Sequence, residues 1–265
     1  MATPAIRFND GVAYDRMMGV WSRSVGEIFL DWLAPRPGLN WVDVGCGSGA
    51  FSQLLADRCA PAAIQGIDPS EAQLAFALQR PAARLAEFRQ GDAMALPYPN
   101  GAFDAAAMAL VLAFVPEPAK GVAEMVRVVK PGGTVAAYMW DMPGGGSPPQ
   151  PISQELQAMG HTLPRPPSAA AAGLESMRAL WTEAGLEAVE GRVIEVQRIF
   201  ADFEGFWSIT TTGSSSLSGV FAALPPTDAD ALKVRVRARL LPDAEGRIAY
   251  SARANAIKGR KPGPR

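Results

Sequence analysis

Histidine is almost missing from this 265-residue chain: it occurs once, as His161. Cysteine occurs twice, as Cys46 and Cys59. Two thiols so close in sequence build no disulfide framework, and with one imidazole they leave no Cys/His set for a structural zinc. No metal is therefore expected. No Ser/His/Asp set can be assembled either, because His161 stands in a proline-rich stretch and is expected at the surface or on a lid. Long apolar runs are also missing. None approaches the ~20 residues that a membrane span requires, and the start MATPAIRFNDG lacks the charged-then-apolar pattern of a signal peptide. Excess charge of either sign is absent too: the net charge is −1, so the basic footprint of a nucleic-acid binder is not there. The single basic cluster, KGRKPGPR from Lys258, is expected as a solvated end. A reducing cytoplasm is the expected home. No heptad or edge-strand pattern marks an oligomer.

What is present suits a globular core. Apolar residues make up 48% of the chain and charged ones 19%, a soluble composition, and the length is at the upper end of one domain. Between residues 36 and 141 short strand-like runs alternate with helical ones. WVDVG leads into AFSQLLADR, where Ala50, Phe51, Leu54 and Leu55 share a helical face. AIQGID leads into SEAQLAFALQR, and PAKGVAEMVRVVK precedes GGTVAAYMW. Such alternation predicts βαβ units, a mostly parallel sheet, and a ligand site along the edge where the strands end. Ahead of this lies an aromatic-rich amphipathic segment in residues 1–35, expected to be a helical lid. Residues 142–172 are dense in proline, glycine and alanine and are expected to be an excursion that resists helix and strand. Residues 173–265 hold a helix closed by Gly185, two alternating strand-like runs (VEGRVIEVQRIF and GRIAYSARANAI), and two helical segments between them, FEGFWSITTTG and DADALKVRVRARLL. The whole is expected to be one domain with an insert on the substrate side.

The stretch WVDVGCGSGAF carries the strongest local signal. Its glycines, Gly45, Gly47 and Gly49, fit a dinucleotide fingerprint, with Asp68 following at the distance of a ribose-binding acid. The loop lacks the Gly-Lys-Ser/Thr ending of a phosphate-binding P-loop. Asp43 separates the remaining tenants. A carboxylate inside an apolar strand is costly unless paired, and it repels a pyrophosphate seated on the next helix. It suits a cationic ligand.

These residues resemble the class I S-adenosylmethionine-dependent methyltransferases, of the small-molecule bacterial type similar to quinone-biosynthesis C-methyltransferases. The resemblance spans residues 40–140 through VDVGCGSGAF, GIDPSEAQLAFA, GDAMALPYPNGAFDAAAMALVLAFVPEP and RVVKPGGTVAAYMW, in the family's order. It implies a Rossmann-like α/β fold: a seven-stranded, mostly parallel sheet with a terminal antiparallel strand and helices on both faces. It also implies S-adenosylmethionine as cofactor, with S-adenosylhomocysteine as product. Asp43, Gly45, Cys46, Gly47 and Gly49 then match the loop under the methionine and ribose, where a side chain would occupy ligand space. Asp68 matches the acid for both ribose hydroxyls, although an N-cap ahead of PSEAQ, with Pro69 in the first turn, explains it as well. Pro69 and Ser70 would flank the nucleoside. Asp92 and Ala93 match positions that meet adenine, against the alternative of a simple turn, while Ala109 and Leu110 match the methionine side. Tyr14, Trp21 and Arg23 resemble lid residues, or they pack as an ordinary amphipathic helix.

The chemistry expected is in-line methyl transfer to a small, partly apolar acceptor, driven by proximity and orientation. No nucleic-acid partner is implied. The apolar ALVLAFV departs from relatives that carry a polar residue nearby, so no catalytic base can be named. Phe206 and Trp207 fit either an acceptor wall or the packing of their helix. Two alternatives stay open: a binding protein without turnover, and, against the evidence of Asp43 and the KPGG turn, a nicotinamide-dependent oxidoreductase.

Overall fold

A computed structural model describes residues 11–211 and 217–263, without the side chains of 11–17 and 218. Its first strand, β1 (Asn40–Val44), is buried almost throughout and is followed by β2 (Ala63–Asp68), β3 (Ala86–Gln90), β4 (Phe103–Ala109) and β5 (Val129–Trp140). These five run parallel. The continuous apolar character of β4 from Ala105 onward and of the second half of β5 is what burial on both faces requires of parallel strands. β6 (Glu187–Phe200) and β7 (Ile248–Arg260) complete a seven-stranded sheet in the order β3-β2-β1-β4-β5-β7-β6.

The antiparallel strand expected at the terminus is the last in sequence, β7, but it does not sit at the sheet's edge. It pairs antiparallel with both β5 and β6, so β6 forms the edge and runs in the same direction as β5. β6 was free to take that place because it alternates buried and exposed positions, as a strand wet on one face does.

Helices cover both faces. On one lie α1 (Gly11–Leu33) and α2 (Ala50–Cys59), which bring Val25, Phe29, Leu54 and Leu55 into one core. α3 (Glu71–Ala77) follows β2. On the other face α4 (Pro118–Val128) and a later helix, α6 (Leu174–Glu183), pack Val122, Met125, Met177 and Trp181 against the sheet. The Trp181 indole N–H donates to the Val135 carbonyl of β5 at 2.9 Å, and Gly185 at φ +78° closes α6 as expected. Ala50 departs from the expected helical face: it is exposed, while Phe51, Ser52, Leu54, Leu55 and Cys59 are buried.

The proline-rich stretch departs more. It contains α5 (Gln150–Ala158), entered through Pro149 and carrying Pro151 in its first turn. Prolines there do not break a helix, because first-turn N–H groups have no intrahelical partner to lose. α7 (Phe203–Thr211), α8 (Ser218–Ala223) and α9 (Pro226–Arg239) occupy the segment between β6 and β7. Chain order reverses between β1, which leads to β2 and β3, and β4 on its other side. The crevice outside the strand ends at that reversal is where this kind of sheet binds ligands.

Candidate functional site

A cavity of about 1720 Å³ opens at that crevice, bounded by the ends of β1, β2, β4 and β5 and roofed by parts of α1, α5 and the 163–170 segment. Single small-molecule sites run to roughly 300–1,000 Å³, so this one has room for two occupants side by side.

The turn after β1 is pinned to β2, where Gly45 N–H and Cys46 N–H both donate to the Ile67 carbonyl (2.7 and 3.0 Å). Its three glycines have φ of +77°, +51° and +75°, the left-handed region that side chains disfavour. Their surroundings differ. A Cβ at Gly45 would lie 2.5 Å from Val111, and one at Gly49 would crowd Ala77 and Phe88. A Cβ at Gly47 would meet nothing closer than Gln73 Oε1 at 3.9 Å. The expectation that a side chain at any of the three would occupy ligand space is therefore corrected: Gly45 and Gly47 both border the cavity, but only at Gly47 would a Cβ point into open space, and at Gly45 and Gly49 it would meet the protein itself. Cys46 is buried, and burial pushes its thiol well above the usual range, so it stays a neutral packing group.

Three acids line this cavity. Asp43 is wholly buried on β1; its Oδ2 accepts from Ser52 Oγ at 2.7 Å, while Oδ1 has no partner among the described residues. Burial, with a smaller push from Asp68, raises its pKa to about 7 despite the Ser52 bond. At the end of β2, Asp68 accepts from Gly47 N–H and Ser70 N–H, both at 2.9 Å. A carboxylate offers about four lone-pair sites, so two remain for a ligand, and burial raises this carboxyl as well. Asp68 is not the N-cap of α3. Ser70 is, accepting from Gln73 N–H, and Pro69 stands before the helix rather than in its first turn. Asp92 holds a turn by accepting from Met94 N–H at 2.8 Å and also borders the cavity beside Ala93.

Ala109 and Leu110 reach the cavity from the end of β4. Leu110 has φ +63°, uncommon outside glycine, and its N–H donates to the Tyr138 carbonyl at 2.8 Å. The lid residues divide. The Tyr14 side chain lies outside the described residues. Arg23 borders the cavity but is spent on Glu27, one turn along, at 3.0 Å. Trp21 turns the other way, into a buried aromatic group with Phe200 and Tyr250, so it is a core residue and does not close the pocket. Phe206 is buried in that same group, and Trp207 stacks on Phe203; neither lines the cavity. His161 stands apart from it, 3.7 Å from Asp228.

Several cavity residues were not foreseen. Gln150, Ser153 and Gln157 lie along one side of α5; their spacing is helical, but the flanking prolines concealed it. Arg165 extends from a proline run, and Tyr138 and Trp140 come from the end of β5. Tyr138 is the only hydroxyl-bearing residue in the apolar VAAYMW, a signal that was available.

Residues 42–137 match the family described as a methyltransferase domain. The chain is 41% identical over 107 residues to a demethylmenaquinone methyltransferase of Desulfitobacterium hafniense, covering 38% of this chain and 42% of that one. It is 36% identical over 123 residues to a ubiquinone/menaquinone biosynthesis C-methyltransferase of Cereibacter sphaeroides, covering 45% and 49%. The chain thus spans less than half the length of these curated relatives. Among solved structures, a Haemonchus contortus phosphoethanolamine N-methyltransferase in complex with S-adenosyl-L-methionine superposes with a TM-score of 0.59 at 18% identity, over 94% of this chain and 56% of that one.

Proposed function

We propose that this chain, whose residues 42–137 belong to the S-adenosylmethionine-dependent methyltransferase family, transfers a methyl group to a small, partly apolar acceptor. One observation carries the reading. Asp43, Asp68 and Asp92 converge on a single cavity around the one glycine of the turn that faces open space. A pyrophosphate would meet three carboxylates there; S-adenosylmethionine brings a cationic part to Asp43 and hydrogen-bond donors, its ribose hydroxyls and adenine amine, to Asp68 and Asp92.

The residues present fit that cofactor. Asp43 Oδ1 is a buried acceptor in want of a donor, which is how a site for a cationic group is left when the group is away. Asp68, oriented by two backbone N–H groups, has lone pairs for two ribose hydroxyls. Asp92 and Ala93 flank the space for the base, and Ala109 and Leu110 the methionine side. When bound, the cofactor supplies an electrophilic methyl on a sulfonium, whose departure leaves a neutral thioether. The chain's own contribution is alignment: it holds the acceptor in line with that methyl and keeps water out through Phe51, Leu110 and Trp140. Among the described lining residues the only acids are the three on the cofactor side, and no histidine or lysine is there. The names of the two curated relatives make quinone-related ring carbons the first acceptors to assay.

Thermal denaturation with S-adenosylmethionine, S-adenosylhomocysteine and NAD tests the reading. Both adenosyl ligands are expected to raise the midpoint, by the equivalent of about 2.7 kcal/mol at a hundred times their Kd, and NAD is expected to do nothing. Asp68→Ala should abolish the shift. Stabilisation by NAD alone would reject the proposal, and ligand binding without transfer of labelled methyl to any acceptor would favour a binding protein.

A further inference from the structure

The 163–167 segment of the cavity lining is chemically unlike the acid-bearing strand ends. Residues 163–167 read LPRPP, so Arg165 is set among prolines that fix φ and remove backbone donors. This strap is tied down where it ends: Ser168 N–H donates to the Ala113 carbonyl at 3.0 Å, and Ser168 Oγ to the Pro116 carbonyl at 3.3 Å. Both acceptors belong to the loop that follows Leu110, so the strap is anchored beside the end of β4. Arg165 lines the cavity and makes no ion pair among the described residues. Trp140 lines it too, from the end of β5, with its indole N–H buried away from the open space and without an acceptor among the described residues. Guanidinium and indole groups only donate. Elsewhere the lining joins the apolar Phe114, Pro143, Pro149 and Leu163 to the polar Ser147, Gln150, Ser153 and Gln157. Arg165 is exposed and makes no ion pair among the described residues, so a ligand in the cavity that supplies oxygen lone pairs and negative charge would give its guanidinium a partner. A planar guanidinium on a stiff support matches a carboxylate best, because both N–H groups of the fork can engage it at once.

We propose that Arg165 is the specificity residue of the acceptor half, selecting acceptors that carry a carboxylate on an apolar body over neutral ones. The inference rests on the methyltransferase reading only in assigning this half to the acceptor. The acids belong to β1, the end of β2 and the turn after β3, and Arg165 to the strap, so an acceptor carboxylate held by Arg165 pairs with a different part of the lining from the one that carries Asp43, Asp68 and Asp92.

Three probes that share one apolar body test it: 2-naphthoate, methyl 2-naphthoate and 2-naphthylmethylammonium. Each is titrated calorimetrically into the full chain at low salt, with and without saturating S-adenosylhomocysteine. The wild type is expected to bind the carboxylate at least tenfold tighter than the ester, with the ammonium weakest. Arg165→Gln should bring the carboxylate to the ester's affinity, Arg165→Lys should retain part of the preference, and both should bind S-adenosylhomocysteine as the wild type does, which shows that they fold. Absence of a carboxylate preference in the wild type, including absence of binding, overturns the proposal, as does a preference that survives Arg165→Gln. Failure of S-adenosylhomocysteine to bind, with an Arg165-dependent carboxylate preference intact, would instead reject the methyltransferase reading and leave Arg165 as a carboxylate-binding residue without the acceptor role.

Discussion

A Cβ placed at Gly45 meets Val111 at 2.5 Å, while one placed at Gly47 finds cavity. Two alanine substitutions in one turn should therefore fail differently. Gly45→Ala overpacks the protein and forces a side chain into left-handed backbone, so it should cost the unliganded fold about 2–3 kcal/mol. Val111→Ala in the same chain should restore part of that loss. Gly47→Ala bears only the backbone penalty, about 1 kcal/mol, yet should abolish binding of S-adenosylhomocysteine. Denaturant melts and titrations of the three variants check this; rescue of Gly47→Ala by Val111→Ala would contradict it. None of the distinction was legible in the sequence, where the glycines look equivalent. Val111 gave no sign of its role because it lies 66 positions away and meets Gly45 only after β4 has paired beside β1. Asp43 was legible, since a carboxylate in an apolar strand must be explained wherever it occurs.

Elements built on strong periodicity were also legible. The alternation of strands and helices up to β5 follows from short-range pattern, and the edge between β1 and β4 follows from it. Two features did not: the helix hidden in the proline-rich stretch, and the insertion of β7 beside β5, which depends on pairing across more than a hundred residues. That hidden helix has its own anchor. Glu155, buried on α5, pairs with Arg235 at 2.9 Å and with Arg239, both on α9, and the two guanidinium groups hold its carboxyl below the usual range. A depressed acid stabilises the fold above its unfolded pKa and loses that contribution as pH falls through the folded value. Glu155→Ala should cost roughly 2 kcal/mol and loosen α5 over the cavity. The expected kinetic result is a raised KM for the acceptor with cofactor affinity unchanged; an equal loss of both would place α5 elsewhere in the chemistry.

For the molecule as a whole, the acids on the strand ends make stability depend on pH. Asp43 has a pKa raised to about 7 from 3.8, so the folded state keeps a proton that the unfolded chain has released. Its contribution is intact below the unfolded pKa and is lost as pH rises through about 7, by about 4 kcal/mol in all. Unliganded Asp43→Asn should be more stable than the wild type at pH 8, no more stable at pH 4, and at least tenfold weaker for S-adenosylmethionine. Parallel pH profiles of the two proteins would refute this. The placement of β7 bears on something else, the order in which the chain can be assembled. β5 and β6 are both made before the strand that joins them, so until residues 248–260 leave the ribosome each presents an open edge of unpaired N–H and C=O groups. About 48 residues separate β6 from β7, several seconds of synthesis at ~5–20 residues per second. During that interval the half-built sheet is exposed to edge-to-edge association, and the exposed Val193 and Ile199 of β6 would be its contact points.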